Sequence, residues 1–227
     1  MRTVFLFFLF CWIGLVSCKQ REENATWKIA RGNAGSNAYS SLDQINTQNV
    51  QQLKIAWTFH TRDSGYTIQC NPIIINDIMY VTSPALKVMA LKAATGELIW
   101  QFDSFSKIKS DGVNRGVTYW ENGTDKRIFF SANYKLFALN AETGQPITSF
   151  GEQGIVDLRQ GLDRNVNEIA VEATSPGIIF GDLLITGSRV SEGEGAAPGH
   201  VRAYNVLTGK QAWIFHTIPK PGEYGYD

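Results

Sequence analysis

Ala90-Leu-Lys-Ala-Ala-Thr-Gly96-Glu-Leu-Ile-Trp100 is a phrase that this chain repeats. It returns as Ala138-Leu-Asn-Ala-Glu-Thr-Gly144-Gln-Pro-Ile-Thr148 and as Ala203-Tyr-Asn-Val-Leu-Thr-Gly209-Lys-Gln-Ala-Trp213. Recurrence at roughly 50–65 residues marks a radially repeated β architecture. Each phrase reads as two strands joined at Thr-Gly, where the turn calls for positive φ and therefore for glycine. A hairpin precedes each phrase. Ile73 to Val81 turns at Asn76-Asp77, and Gly177 to Thr186 turns at Gly181-Asp182. Val117 to Trp120 is joined to Arg127 to Ser131 by a longer turn at Asn122-Gly123. Hairpin plus phrase make four antiparallel strands, the unit of a propeller blade. The predicted fold class is all-β, a β-propeller of four-stranded antiparallel blades, of which about three of eight are present.

The Trp four residues after the turn glycine is expected to pack between neighbouring blades. Truncating such a residue costs roughly 3–5 kcal/mol. Thr148 stands in that slot in the second phrase, so one inter-blade contact is expected to be filled differently. Leu53-Lys-Ile-Ala-Trp57-Thr-Phe59 reads as a closing strand separated from its blade, and Asp43 to Gln52 as one short helical turn. Three blades cannot close a ring of about four to eight. The expectation is an N-terminal fragment of a longer protein.

The 227 residues carry a formal net charge of zero, which gives no support for nucleic acid as a partner. The N-terminus differs from the rest. Arg2 precedes an apolar stretch from Val4 to Gly14, too short to span a bilayer and suited to a signal-peptide core. Leu15-Val16-Ser17-Cys18 follows and resembles a bacterial lipobox, with a polar tether from Lys19 to Asn24 behind it. The implied organisation is a signal peptide over 1–17, a tether over 18–26 lipidated at Cys18, and a propeller portion over 27–227. Export and a lipid anchor would hold the domain at the membrane surface, on the periplasmic side or at the cell surface. Only Cys70 falls within the folded part, so no internal disulfide can form there.

Several further stretches carry a family resemblance. They are Asn37-Ala-Tyr-Ser-Ser-Leu-Asp-Gln-Ile-Asn-Thr-Gln-Asn-Val50, Leu53-Lys-Ile-Ala-Trp57, Met79-Tyr-Val-Thr-Ser-Pro84 and Val113-Asn-Arg115-Gly116-Val117-Thr-Tyr-Trp120. With the Thr-Gly phrases they resemble the pyrroloquinoline quinone (PQQ)-dependent dehydrogenases over residues 27 to 227. Arg127-Ile-Phe-Phe, Phe150 to Arg159 and Pro219 to Asp227 look most like the glucose dehydrogenase branch.

The resemblance implies a flat, tricarboxylated o-quinone and a divalent cation, calcium in this family, that polarises its carbonyl. Arg115 corresponds to a cofactor-contacting guanidinium, which suits a carboxylate. Gln69 and Ser131 correspond to polar cofactor-facing positions, and Glu192 to a calcium ligand of the alcohol-oxidising branch. Lys109-Ser110 stand where that branch has vicinal cysteines, and Asp111 where the glucose branch has His. The catalytic Asp and its Lys partner of the family fall beyond Asp227, so no catalytic residue is named in this chain. His60, His200 and His216 are scattered without metal spacing.

The implied activity is oxidation of a sugar or alcohol, with electrons passed to a membrane quinone or a c-type cytochrome. The competing reading is a non-catalytic propeller lipoprotein of the outer-membrane assembly type, which shares the blades and the lipobox. Asn114-Arg-Gly-Val-Thr-Tyr119 favours the enzyme. Fold alone does not decide, because propellers host both roles.

Overall fold

The structure, a computed structural model, describes residues 27–63, 67–104 and 112–226. Cys18, the signal peptide, the tether, and Lys109 to Asp111 lie outside the described residues. No described helix is long and apolar enough to cross a membrane.

Three four-stranded antiparallel sheets follow one another along the chain. The first blade is β1 (Ile73–Ile75), β2 (Ile78–Thr82), β3 (Lys87–Lys92) and β4 (Leu98–Asp103). The second is β5 (Thr118–Asn122), β6 (Asp125–Ala132), β7 (Lys135–Asn140) and β8 (Ile155–Asp157). A short strand β9 (Val171–Glu172) comes next. The third blade is β10 (Ile178–Phe180), β11 (Leu183–Thr186), β13 (Val201–Asn205) and β14 (Gln211–Phe215). Between β11 and β13, strand β12 (Arg189–Val190) leaves the blade and pairs with β9.

The hairpins turn where the sequence places them at Asn76-Asp77 and Gly181-Asp182. The third is tighter than expected. Asn122 pairs with Asp125, so Gly123-Thr124 alone make the turn, and Gly123 has φ +59. Leu53 to Phe59 belongs to no strand, and Ile55 is 85% exposed. The helical turn is a 3-10 turn over Val50–Gln52. Cys70 is an unpaired thiol.

Blade 2 explains why its strands read as unbroken apolar runs. Ile128 and Phe130 on β6, with Phe137 and Leu139 on β7, join Tyr80, Val88 and Trp100 in one core between blades 1 and 2. Phe129, Leu136 and Ala138 point the other way and join Phe150, Leu184 and Tyr204 between blades 2 and 3. Side chains alternate between faces, and here both faces are covered.

The repeated phrase acts at these interfaces. Ala93, Ala141 and Val206 hold the same place in the repeat, three residues before Gly96, Gly144 and Gly209. Trp57 Nε1 donates to the Ala93 carbonyl at 3.0 Å, and Trp100 Nε1 donates to that of Ala141 at 2.9 Å. Each ring lies on the turn glycine of the following blade. A Cβ on Gly96 or Gly144 would sit 2.5 Å from the Trp57 or Trp100 ring. Thus Trp57 docks on blade 1 without forming a strand, and Trp100 docks on blade 2.

The second phrase, ending in Thr148, cannot repeat this. Pro146 makes only an isolated bridge to Leu139, and β8 takes the outer place beside β7. Gly151 covers Gly209 instead, its N–H donating to the Thr208 carbonyl at 2.9 Å. Arg127 from β6 supplies the missing donor: its Nη1 reaches the Val206 carbonyl at 2.9 Å.

Candidate cofactor-binding site

The segments that lead into the first strand of each blade are stitched together. Asn71 N–H donates to the Arg115 carbonyl at 3.0 Å, and Arg115 N–H donates to the Thr174 carbonyl at 2.8 Å. Asn71 precedes β1, Arg115 precedes β5 and Thr174 precedes β10. The innermost edges of three blades therefore meet at Arg115.

The Asn-Arg-Gly phrase divides the work among its residues. Asn114 is buried and bonded through both its amide oxygen and its amide nitrogen. Its Oδ1 accepts from Thr82 Oγ1 at 3.0 Å and from Gly116 N at 2.8 Å, and its Nδ2 donates to the Ser131 carbonyl at 2.8 Å. It ties the end of β2 to the end of β6. Gly116 has φ +134, and a Cβ there would lie 2.8 Å from the Asn71 carbonyl oxygen. Only glycine accepts both conditions. Arg115, between these anchors, is exposed, and its Nη1 donates to Thr174 Oγ1 at 2.8 Å. No carboxylate pairs with it among the described residues.

Gln69 is exposed two residues before Asn71, its amide donating to Thr67 Oγ1 at 3.3 Å. Ser131 is buried at the end of β6 and joins the set through Asn114. Arg115 and Ser131 are thus tied to the same hydrogen-bonded segments, through Thr174 and Asn114, while Gln69 bonds only within its own segment, to Thr67. Glu192 stands apart, exposed in the loop after β12. Among the described residues no three His, Cys, Asp or Glu side chains gather in a way that could hold a metal ion.

Three residues of this neighbourhood were not singled out from sequence. Thr174 carries the Arg115 guanidinium. Glu172 on β9 lies opposite Arg189 on β12, with Arg189 Nη1 and Glu172 Oε2 3.3 Å apart. The available signal is position: all lie just outside the hairpin that opens blade 3.

Two other polar clusters occur among the described residues. The Asp63 carboxylate accepts from Thr61 and Ser83 hydroxyls, with Lys87 Nζ 3.9 Å away, and fastens the N-terminal lead-in to the β2–β3 connection. His200 and His216 stack edge to face, centroids 4.7 Å apart, and the His200 Nδ1 accepts from Thr217 N–H at 3.1 Å. Cys70 Sγ accepts from Thr82 N–H at 3.2 Å. Burial pushes its thiol up, against the opposing hydrogen bonds from Thr82, so it is not an activated nucleophile.

A guanidinium without a carboxylate partner among the described residues, bonded to a hydroxyl, suits a carboxylate at the edge of a planar ligand.

Residues 27–226 match the family described as PQQ glucose/ethanol/alcohol dehydrogenase, β-propeller domain. The chain is 30% identical to the quinate/shikimate dehydrogenase (quinone) of Acinetobacter baylyi, over 92% of this chain and 30% of that protein. It is 35% identical to quinoprotein glucose dehydrogenase A of Acinetobacter calcoaceticus, over 79% of this chain and 26% of that protein. The quinohemoprotein alcohol dehydrogenase of Comamonas testosteroni superposes with a TM-score of 0.74 at 26% identity, covering 90% of this chain and 29% of that one. The chain thus spans under a third of the length of these relatives. The four-stranded blades and these matches place it in one group: the chain belongs to the PQQ-dependent glucose/ethanol/alcohol dehydrogenase β-propeller family.

Proposed function

We propose that this chain is part of a quinoprotein dehydrogenase that binds PQQ at the Arg115 edge and oxidises a sugar or alcohol. The observation that carries the reading is Arg115 itself. It is exposed, without a carboxylate partner among the described residues, and held in place from both sides through its own backbone. The described residues fit the carboxylate end of the cofactor. Arg115 would hold a carboxylate, Gln69 would offer an amide, and Asn114 with Ser131 would keep the blade edges in register beneath. PQQ would supply the two-electron acceptor. The described residues do not by themselves fit a metal. Glu192 would become a ligand, for calcium or another divalent ion, only with further donors.

The relatives named for quinate/shikimate, glucose and alcohol support a hydroxylated small-molecule substrate, and the word quinone in two of those names supports a quinone as electron acceptor, with a c-type cytochrome as the alternative. The export reading, with acylation at Cys18 and residence at a bacterial membrane, rests on Leu15 to Cys18. Mass spectrometry of the mature N-terminus tests it: an acylated Cys18 is expected, and a free N-terminus elsewhere would refute it.

The test of the activity is dye-linked oxidation by the full-length protein after incubation with PQQ and a divalent cation. Glucose, quinate and ethanol should be compared. PQQ-dependent turnover of at least one sugar or alcohol is expected. Stable folding with no PQQ-dependent turnover across the panel would overturn the reading.

A further inference from the structure

The β9–β12 ribbon places a second guanidinium beside the first. Val171 and Ala173 are buried while Glu172 and Thr174 between and after them are partly exposed, so the latter two lie on the open side of this run of chain. Thr174 carries Arg115, and Glu172 carries Arg189 from the neighbouring strand. The row is therefore guanidinium, hydroxyl, carboxylate, guanidinium. Two positive groups straddle one negative group.

The inner pair is weakly held. The Arg189 side chain is 66% exposed and that of Glu172 40% exposed. Exposed pairs of this kind contribute about 0–1 kcal/mol, so little opposes exchanging one carboxylate for another. The ribbon itself consists of two residue pairs, and its backbone bonds hold whether or not the ions meet.

We propose that Arg189 is a second carboxylate-binding residue of the cofactor site, with Glu172 standing in for that carboxylate until the cofactor arrives. This rests on the reading of Arg115 as a PQQ-carboxylate residue. A tricarboxylated planar ligand anchored at Arg115 presents another carboxylate along the same edge. Arg189 turns from Glu172 to that group, and Glu172 is released to solvent. The ion pair thus keeps Arg189 extended along the ribbon and competes mildly with the ligand.

The signature is opposite effects of the two partners. PQQ affinity of the full-length apo-protein is measured by equilibrium dialysis, with thermal melting of each apo-variant as control. Arg189→Gln should weaken binding about 10-fold and flatten its salt dependence, because one charge-assisted contact is lost. Glu172→Gln should tighten binding about 3- to 10-fold, because the competing carboxylate is gone. Arg189→Lys should fall between wild type and Arg189→Gln. If Arg189→Gln fails to fold, Glu172→Gln decides alone: tightening supports the proposal, and unchanged or weaker binding overturns it. Wild-type binding weakened by Arg115→Gln but insensitive to both ribbon variants would overturn this proposal alone. No PQQ binding by the folded wild type would overturn the reading beneath it as well.

Discussion

Gly144 and Gly123 share a left-handed backbone, φ +70 and +59, yet meet different surroundings. Nothing lies within 4 Å of a Cβ built on Gly123, whereas one on Gly144 would strike the Trp100 ring at 2.5 Å. Gly123→Ala should cost only the left-handed penalty, about 1–2 kcal/mol. Gly144→Ala should add an overpacking cost of about 1–3 kcal/mol. Urea denaturation of the two variants compares them directly, and equal losses would contradict the docked indole. A second residue-scale expectation concerns His200. Burial, then the neighbouring His216, Lys220 and Arg202, lower its pKa from the ordinary 6.5, with only Asp163 opposing. The folded state then binds fewer protons than the unfolded one, so stability is complete above about pH 6.5 and is lost as pH falls through the depressed folded value. Thermal melting between pH 5 and 8 should show this acid loss, and His200→Gln should flatten it. An unchanged slope in the variant would refute the assignment.

Among the elements, the junction between blades 2 and 3 departs from the repeat. Arg127 is held by Asp125 at 2.6 Å and donates to the Val206 and Leu207 carbonyls, the first of which takes the place that meets an indole in the other two junctions. Arg127→Leu keeps much of the volume and removes the donors. It should cost about 2–3 kcal/mol, because carbonyls lose partners while the half-exposed Asp125 can hydrate. A loss below about 0.5 kcal/mol on chemical denaturation would reject Arg127 as a substitute for Trp. The two-strand phrases and their turns were legible because their chemistry is local: a turn glycine and an apolar run announce themselves within ten residues. Thr148 showed that one junction must differ. Its replacement was not legible, because Arg127 lies in an earlier strand and reaches a blade far along the chain. Leu53 to Phe59, read as a closing strand separated from its blade, pairs with no strand among the described residues, and its indole docks on blade 1. Its Trp57 bears the strand-end signature, but the residue is defined by what it docks on, not by a ladder of its own.

At the scale of the molecule, three blades bury both faces of the middle one and leave an apolar face on the third. Ile178, Phe180, Trp213 and Phe215 are 60%, 74%, 39% and 63% exposed there. The fold class was legible from the repeat, and the family from Asn114-Arg115-Gly116. The candidate site was half legible. Arg115 and Ser131 are linked through Asn114 and its neighbours, whereas Thr174 carries no local motif and reaches Arg115 only when blade 3 closes on blade 2, bringing the Glu172–Arg189 ribbon with it. The central claim is that this stitched inner edge holds PQQ through Arg115. The measurement that tests it most directly is the PQQ dissociation constant of full-length wild type and Arg115→Ala, each shown to be folded by its melting curve. A 30- to 1,000-fold loss, about 2–4 kcal/mol, is predicted for the variant, with Arg115→Lys recovering only part. Equal affinity in a folded Arg115→Ala protein would contradict the account.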